Sequence, residues 1–242
     1  MIYVIFSDVH SNIEALQAFA ELARTIRHDK KVFLGDAVGY GADPNACVEW
    51  IRANADIALA GNHDYAVVEK TDIAHLNPYA YQACLWTRKQ LTGANKHFLG
   101  SLPVTKEEDG ISWAHSSPHE PEKWHYVSSL PAGIENFEYF RTPVCFVGHS
   151  HVHRIFKRDS TGNVEDYPMF TGELEPDCRY IINAGSIGQP RDGNPDPAFV
   201  IYNSQTLTLE PRRFKYDRAA AQHKILKNGL PEILAERLSY GR

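Results

Sequence analysis

The chain has 242 residues, a net charge of −5, 43% apolar residues and 23% charged residues, a globular balance long enough for a sizeable core. The acidic balance disfavours a duplex nucleic-acid partner, which calls for a basic face. No apolar run is long enough to span a bilayer, and Met1 leads into a strand-like segment with no basic leader.

Residues 2–7 read as a buried strand that runs out into Asp8-Val9-His10. Residues 13–27 carry Ile13, Leu16, Phe19, Ala20, Ala23 and Ile26 on one helical face. Asn12 precedes this helix, where it either caps it or binds a phosphate oxygen. Residues 31–34 form a second strand, ending in Gly35-Asp36. Asp43 and Pro44 open a helix over 43–54. A third strand, 57–60, ends in Gly61-Asn62-His63-Asp64. Strand, turn and helix thus recur three times, and each strand finishes in polar residues. The alternation implies a largely parallel sheet whose ligands bind beyond the carboxyl ends of its strands.

Asn77-Pro78 opens a helix to about Leu91, which Gly93 ends, and a short helix is expected near 95–100. Ile111–Ala114 is strand-like and ends at His115. Residues 117–127 have no period and read as a loop capping the site. A short helix is expected over 131–140. Residues 143–147 are a buried strand ending in Gly148-His149-Ser150-His151. From residue 152 the character changes. Residues 152–157, 163–170, 179–183, 197–203 and 206–213 are β-prone runs split by turns, which suggests a second, more antiparallel sheet. The tail from Asp217 is helical with a break at Gly229-Leu230-Pro231. Its apolar positions Ile225, Leu226, Ile233, Leu234 and Leu238 pack on the same chain or on a neighbouring copy in a homo-oligomer. With no repeat and no linker, residues 1–242 are expected to form one domain. Cys47, Cys84, Cys145 and Cys178 make no C-x-x-C pair, so reduced buried thiols and a cytoplasmic location are expected.

Asp8, His10, Asp36, Asn62, His63, Asp64, His115, His149 and His151 all follow short apolar strands. Each alone has a plain structural reading: a carboxylate caps a helix, an asparagine sits in a turn, a histidine is satisfied in the core. Together, three carboxylates, an amide oxygen and several imidazoles at one sheet edge exceed what one metal needs. They suit two divalent ions sharing a carboxylate, the usual machinery for in-line displacement at phosphorus. Glycine precedes three of the sets, at Gly35, Gly61 and Gly148, where it lets the backbone turn sharply into a shared cleft.

The ordered set Asp8-x-His10, Gly35-Asp36, Gly61-Asn62-His63-Asp64, His115 and Gly148-His149-x-His151 resembles the five-part signature of the calcineurin-like metallophosphoesterases, over residues 4–153. Gly39-Tyr40-Gly41, Asn77-Pro78-Tyr79 and the run from Asn183 to Arg191 are similar to a bacterial and archaeal branch of phosphodiesterases and diadenosine tetraphosphatases. Ala184 and Ser116 depart from that branch, which usually has Pro and Gly there. The resemblance implies an α/β fold, a four-layer α/β/β/α sandwich with two mixed sheets. It implies one metal on Asp8, His10, Asp36 and His151 and a second on Asp36, Asn62, His115 and His149, bridged by Asp36. His63 lies outside both sets. It would face the leaving-group oxygen, oriented by Asp64, while a metal-activated hydroxide attacks phosphorus.

Nitrogen and oxygen ligands without thiolate admit Mn, Fe, Co, Ni or Zn, with Mn the first expectation. The expected reaction is hydrolysis of a phosphodiester or phosphoanhydride bond in a small, nucleotide-like substrate. The alternatives are a serine/threonine protein phosphatase-like monoesterase and a metal-bound, non-catalytic scaffold, against which the intact His63 argues. Tyr40 and Trp124 offer rings to stack a nucleobase, and Arg191 a clamp for a second phosphate. Equally, Trp124 would pack its own loop and Arg191 would pair with Asp192.

Overall fold

In the computed structural model, which describes residues 1–74 and 76–242, the first third alternates strand and helix. It runs β1 (Ile2–Phe6), α1 (Ile13–Thr25), β2 (Lys30–Phe33), α2 (Pro44–Asn54), β3 (Ile57–Ala58) and α3 (Asn62–Val67). Next come α4 (Pro78–Gln90) and α5 (Gly93–Ser101), capped by the side chains of Asn77 and Thr92. Gly93 therefore opens α5 rather than closing α4, because the Thr92 hydroxyl accepts from the Asn95 amide. A hairpin follows, β4 (Thr105–Glu108) and β5 (Ile111–Ala114), then α6 (Leu130–Asn136) and β6 (Val144–Val147). The β-rich half holds β7 (Arg154–Arg158), β8 (Val164–Pro168), β9 (Gly172–Glu173), β10 (Arg179–Asn183), β11 (Ala198–Asn203) and β12 (Thr208–Arg213). The tail forms α7 (Arg218–Lys227) and α8 (Glu232–Glu236).

The strands form two six-stranded sheets, in the orders β3-β2-β1-β11-β12-β9 and β4-β5-β6-β10-β7-β8. Both are mixed. β1, β2 and β3 run parallel while β11 pairs antiparallel with β1. β5, β6 and β10 run parallel while β7 pairs antiparallel with β10. The division at residue 152 is thus not the division between sheets. β5 and β6 belong to the second sheet, and β11 and β12 return to the first.

Alternation along β1 shows how the layers are built. Tyr3 and Ile5 point between the sheets, with Val32, Trp113, Phe146, Ile182 and Tyr202. Val4 and Phe6 point outward onto Leu16 and Phe19 of α1 and Val48 and Ile51 of α2. On the far side, Cys145, Val147 and Ile181 meet Phe137 and Phe140 beside α6. Each such large apolar side chain contributes about 1.5–3 kcal/mol on burial. The result is a four-layer α/β/β/α sandwich. Ile225, Leu234 and Leu238 of the tail pack on this chain, against Ala80, Ala83 and Tyr40, while Leu226 and Ile233 stay exposed. All four cysteines are free and buried. Among the described residues, no helix is long and apolar enough to cross a membrane.

Candidate metal centre

The carboxyl ends of β1, β2, β3, β5 and β6 open onto one rim, and their loops are hydrogen-bonded to each other there. Asp8 N–H donates to Gly35 O (2.9 Å), His10 N–H to Asp36 O (3.0 Å) and Gly148 N–H to His115 O (2.8 Å). The turns are tight enough that Asp8, His10, Asp36, His149 and His151 all have positive φ, between 49° and 63°. Such conformations cost L residues about 1–3 kcal/mol each and cluster at functional sites. Gly35, at φ +114°, supplies the conformational freedom expected of it. Gly61 and Gly148 serve a different purpose, close approach. A Cβ on Gly61 would lie 2.1 Å from Asp36 Oδ1, and one on Gly148 would lie 2.1 Å from Ser7 Oγ. Asn62, His63 and Asp64 form the first turn of α3 rather than an irregular turn after the strand.

Among the described residues, three groups of side chains bring ligand atoms within 4.8 Å of one another: Asp8, His10 and His151; Asp36, His115 and His149; and His10, Asp36 and His63. Asp8 Oδ1 lies 3.8 Å from His10 Nε2 and 3.2 Å from His151 Nε2. Asp36 Oδ2 lies 3.7 Å from His10 Nε2 and 3.5 Å from His115 Nε2. His115 Nε2 is in turn 3.4 Å from Asn62 Oδ1. One carboxylate oxygen thus faces both sets, while Asp36 Oδ1 accepts the His63 amide at 2.8 Å.

Four histidines donate their remaining ring N–H to a backbone carbonyl. His10 Nδ1 bonds Val38 O, His115 Nδ1 bonds Leu34 O, His151 Nδ1 bonds Gln189 O and His149 Nε2 bonds Trp124 O, at 2.6–3.0 Å. These bonds leave lone pairs on Nε2 of His10 and His151 and on Nδ1 of His149, and turn Nε2 of His115 toward the Asp36 carboxylate. Two such lone pairs, His10 Nε2 and His151 Nε2, face each other at 3.1 Å. Asp8 Oδ1 beside them is buried with no hydrogen-bond partner among the described residues. Facing lone pairs and an orphaned carboxylate oxygen repel unless a cation lies among them. Ligands about 2.0–2.2 Å from a metal lie roughly 3.0–3.6 Å apart, close to these separations. The residues present therefore fit divalent metal ions.

Burial holds His10 and His151 below the usual imidazole value and pushes His63 to about 4 and His149 to about 3. Burial also pushes His115 down, but the Asp36 carboxylate against it outweighs this and raises it to about 9. Burial would raise Asp8 and Asp36. The charge of His151 on the first and of His115 on the second hold both below the usual carboxylate range.

His63 differs from the other four imidazoles, since its Nε2 meets the Tyr40 hydroxyl at 3.1 Å and its Nδ1 has no partner among the described residues. It lines a cavity of about 160 Å3 with Asp36, Asn62, His149, His151, Tyr40 and Arg191. The expected pairing of Asp64 with His63 is not what the structure places there. Asp64 Oδ2 accepts from the amides of Asp36, Ala37 and Gly61 and Oδ1 from that of Val38, at 2.8–3.2 Å. Side chains at successive helical positions diverge, so Asp64 turns back onto the loop that carries Asp36.

Asn12 also departs from a substrate role. It caps α1 through Oδ1, and its Nδ2 donates to Gly188 O and Tyr216 Oη, so both of its polar atoms are engaged within the protein. Trp124 reaches the centre by its carbonyl, while its ring packs edge-on against Tyr65 and His115. Tyr40 and Arg191 line the cavity. Asp192 pairs with Arg213 instead, leaving Arg191 bonded to Gln189 Oε1. Asn77 and Tyr126 also line the cavity. Tyr126 stacks on His149 at 4.1 Å and 14°. The cap signal at Asn77 does not mark it for the cavity, whereas Tyr126 lies in the 117–127 loop expected to wall the site.

Residues 1–206 match the model of the calcineurin-like phosphoesterase superfamily domain. Protein MJ0912 of Methanocaldococcus jannaschii is 41% identical over 244 residues, covering 98% of this chain and 97% of its own. A metallophosphoesterase from Sphaerobacter thermophilus superposes with a TM-score of 0.89 at 38% identity, covering 100% of this chain and 99% of its own. Protein PH1004 from Pyrococcus horikoshii shares the fold, with a TM-score of 0.79 at 16% identity, over 100% of this chain and 98% of its own. The rim of aspartates and histidines therefore sits on a known scaffold: the chain belongs to the calcineurin-like phosphoesterase superfamily and is a metal-dependent phosphoric ester hydrolase.

Proposed function

We propose that the protein is a dinuclear-metal phosphoesterase that hydrolyses a phosphodiester or phosphoanhydride bond in a small, nucleotide-like substrate. The observation that carries this reading is Asp36 Oδ2, which lies within 3.7 Å of His10 Nε2 on one side and 3.5 Å of His115 Nε2 on the other. Asp8, His10, Asp36 and His151 would hold one ion, and Asp36, Asn62, His115 and His149 the other. Mn is the first choice for an oxygen and nitrogen ligand set of this kind. Bound ions supply charge neutralisation at the phosphoryl oxygens and a water of lowered pKa.

The chain's own residues do the rest. Backbone carbonyls fix each ligand imidazole, and Asp64 clamps the Asp36 loop through four amides. His63 lines the same cavity and, among the described residues, no carbonyl holds its ring, so the Nε2 that meets the Tyr40 hydroxyl can also give a hydrogen bond to the leaving-group oxygen. Arg191 would take a second anionic group. Tyr126 has one face on His149 and is 52% exposed, which leaves aromatic surface for a base.

Turnover of bis-p-nitrophenyl phosphate against p-nitrophenyl phosphate with Mn, followed by a nucleotide panel, tests the substrate class. A strong monoester preference would contradict it. His63→Ala is expected to keep its metal by elemental analysis and lose about 10²–10⁴-fold in turnover. A variant that loses the metal instead would place His63 among the ligands.

A further inference from the structure

The reading of His63 as a hydrogen donor requires a proton on the nitrogen that faces the cavity. A neutral imidazole has one N–H for two nitrogens, and their partners decide which carries it. The residue expected to settle this, Asp64, is committed to four backbone amides. His63 Nδ1 is buried and has no hydrogen-bond partner among the described residues. It lies against the backbone of Gly39, at φ +96°, where an added Cβ would be 2.6 Å from it. His63 Nε2 has one partner, the Tyr40 hydroxyl at 3.1 Å.

A buried N–H with no acceptor is rarer and costlier than a lone pair with no donor. Nδ1 therefore bears the lone pair, and Nε2 bears the hydrogen and gives it to Tyr40 Oη. Tyr40 is built to stay in place. Its ring lies 4.5 Å from that of His63 and 4.7 Å from that of His10. The guanidinium carbons of Arg191 and Arg237 lie 5.6 Å and 5.8 Å from its centre. The tail packs beneath it through Ile225, Leu234 and Leu238. Its backbone sits at φ +57°, a conformation a tyrosine adopts only when its surroundings impose it.

We propose that Tyr40 is the positioning residue of the His63 donor, its hydroxyl oxygen accepting the Nε2–H bond so that the ring is held in the Nε2–H tautomer and aimed into the cavity. A leaving-group oxygen that enters the cavity shares that hydrogen in a three-centre bond. The proposal rests on the reading of His63 as the leaving-group donor, and Tyr40→Phe tests it because it removes one oxygen and keeps the ring.

Two readouts are needed, neither of which a purely structural role would move in the same way. In the zinc-loaded protein, long-range 1H–15N correlation is expected to show His63 as the Nε2–H tautomer, and Tyr40→Phe as a mixture. An Nδ1–H tautomer in the wild type, or an unchanged tautomer in the variant, overturns the proposal. In turnover, Tyr40→Phe is expected to leave KM unchanged. It should lower kcat about tenfold for diesters with alkyl leaving groups and by less than about threefold for p-nitrophenyl leaving groups, which need little help. Equal losses for both overturn it. His63→Ala separates this from the underlying reading. Full turnover in that variant would refute His63 as a donor, while the tautomer measurement would still decide what Tyr40 does to the ring.

Discussion

Adding one methyl group at residue 61 tests how tightly Asp36 is clamped. The Cβ of Gly61→Ala would lie 2.1 Å from Asp36 Oδ1 and 2.6 Å from both Cγ and the backbone nitrogen of Asp36. Restoring an ordinary contact of 3.4 Å requires the carboxylate to retreat by about 1.3 Å, whereas metal–ligand distances tolerate about 0.2 Å. The retreat also breaks the 2.8 Å bond from His63 N–H to Asp36 Oδ1. Overpacking costs about 1–3 kcal/mol and a lost bond to a charged group about 1.5–3 kcal/mol. Together these give about 2.5–6 kcal/mol, on the order of 10 °C in Tm for a chain of this size. Because Asp36 faces both ligand sets, metal should be lost from both at once. The assay is thermal unfolding in chelator, with elemental analysis after reloading. Gly100→Ala is the control, since its Cβ would meet only Val68 Cγ2, at 3.9 Å. If Gly61→Ala keeps full metal content and its metal-free Tm stays within about 2 °C of wild type, the clamp does not exist.

Asp64→Asn should act on metal binding, because Asp64 holds the Asp36 loop and not the His63 ring. Reduced metal content by elemental analysis is expected, and a variant that keeps its metal while changing only its dependence on the leaving group would restore the pairing of Asp64 with His63. Metal binding should also be linked to protons. His115, raised to about 9 by Asp36, must give up its proton to a metal, whereas His149, at about 3, has none to lose at neutral pH. Affinity is therefore expected to rise about tenfold per pH unit between roughly 6.5 and 8.5, with about one proton released per chain in calorimetry across buffers of different ionisation enthalpy. No release, or a flat profile, would show that His115 is not displaced. In the metal-free protein the sign is opposite. The raised His115 stabilises the fold fully below its unfolded value of 6.5, and that contribution is lost as pH rises through about 9.

The aspartates and histidines that meet at the rim were legible as a group because each set follows a short apolar strand, and a parallel sheet gathers such ends at one edge. What the sequence hid were contacts made by backbone or by distant chain. The Trp124 carbonyl that orients His149 has no side-chain signature. Arg237 reaches the Tyr40 ring from the tail, far from any motif. The assignment of strands to sheets was hidden for a similar reason. Val4–Phe6 and Val144–Val147 are both buried on two faces, so their composition does not say which sheet each joins. β4, written Thr-Lys-Glu-Glu, is exposed and has no apolar alternation to read, and it exists because β5 pairs with it. Asp64 misled because neighbours in sequence invite pairing, while the helix that begins at Asn62 sends their side chains apart.

Two ions on one shared carboxylate would make Asp36 necessary for both. Calorimetric titration of metal-free wild type and Asp36→Ala with Mn tests it most directly. Two ions per chain are expected for the wild type, with loss of both sites in Asp36→Ala. A single ion per wild-type chain, or an Asp36→Ala variant that keeps one site at full affinity, would contradict it.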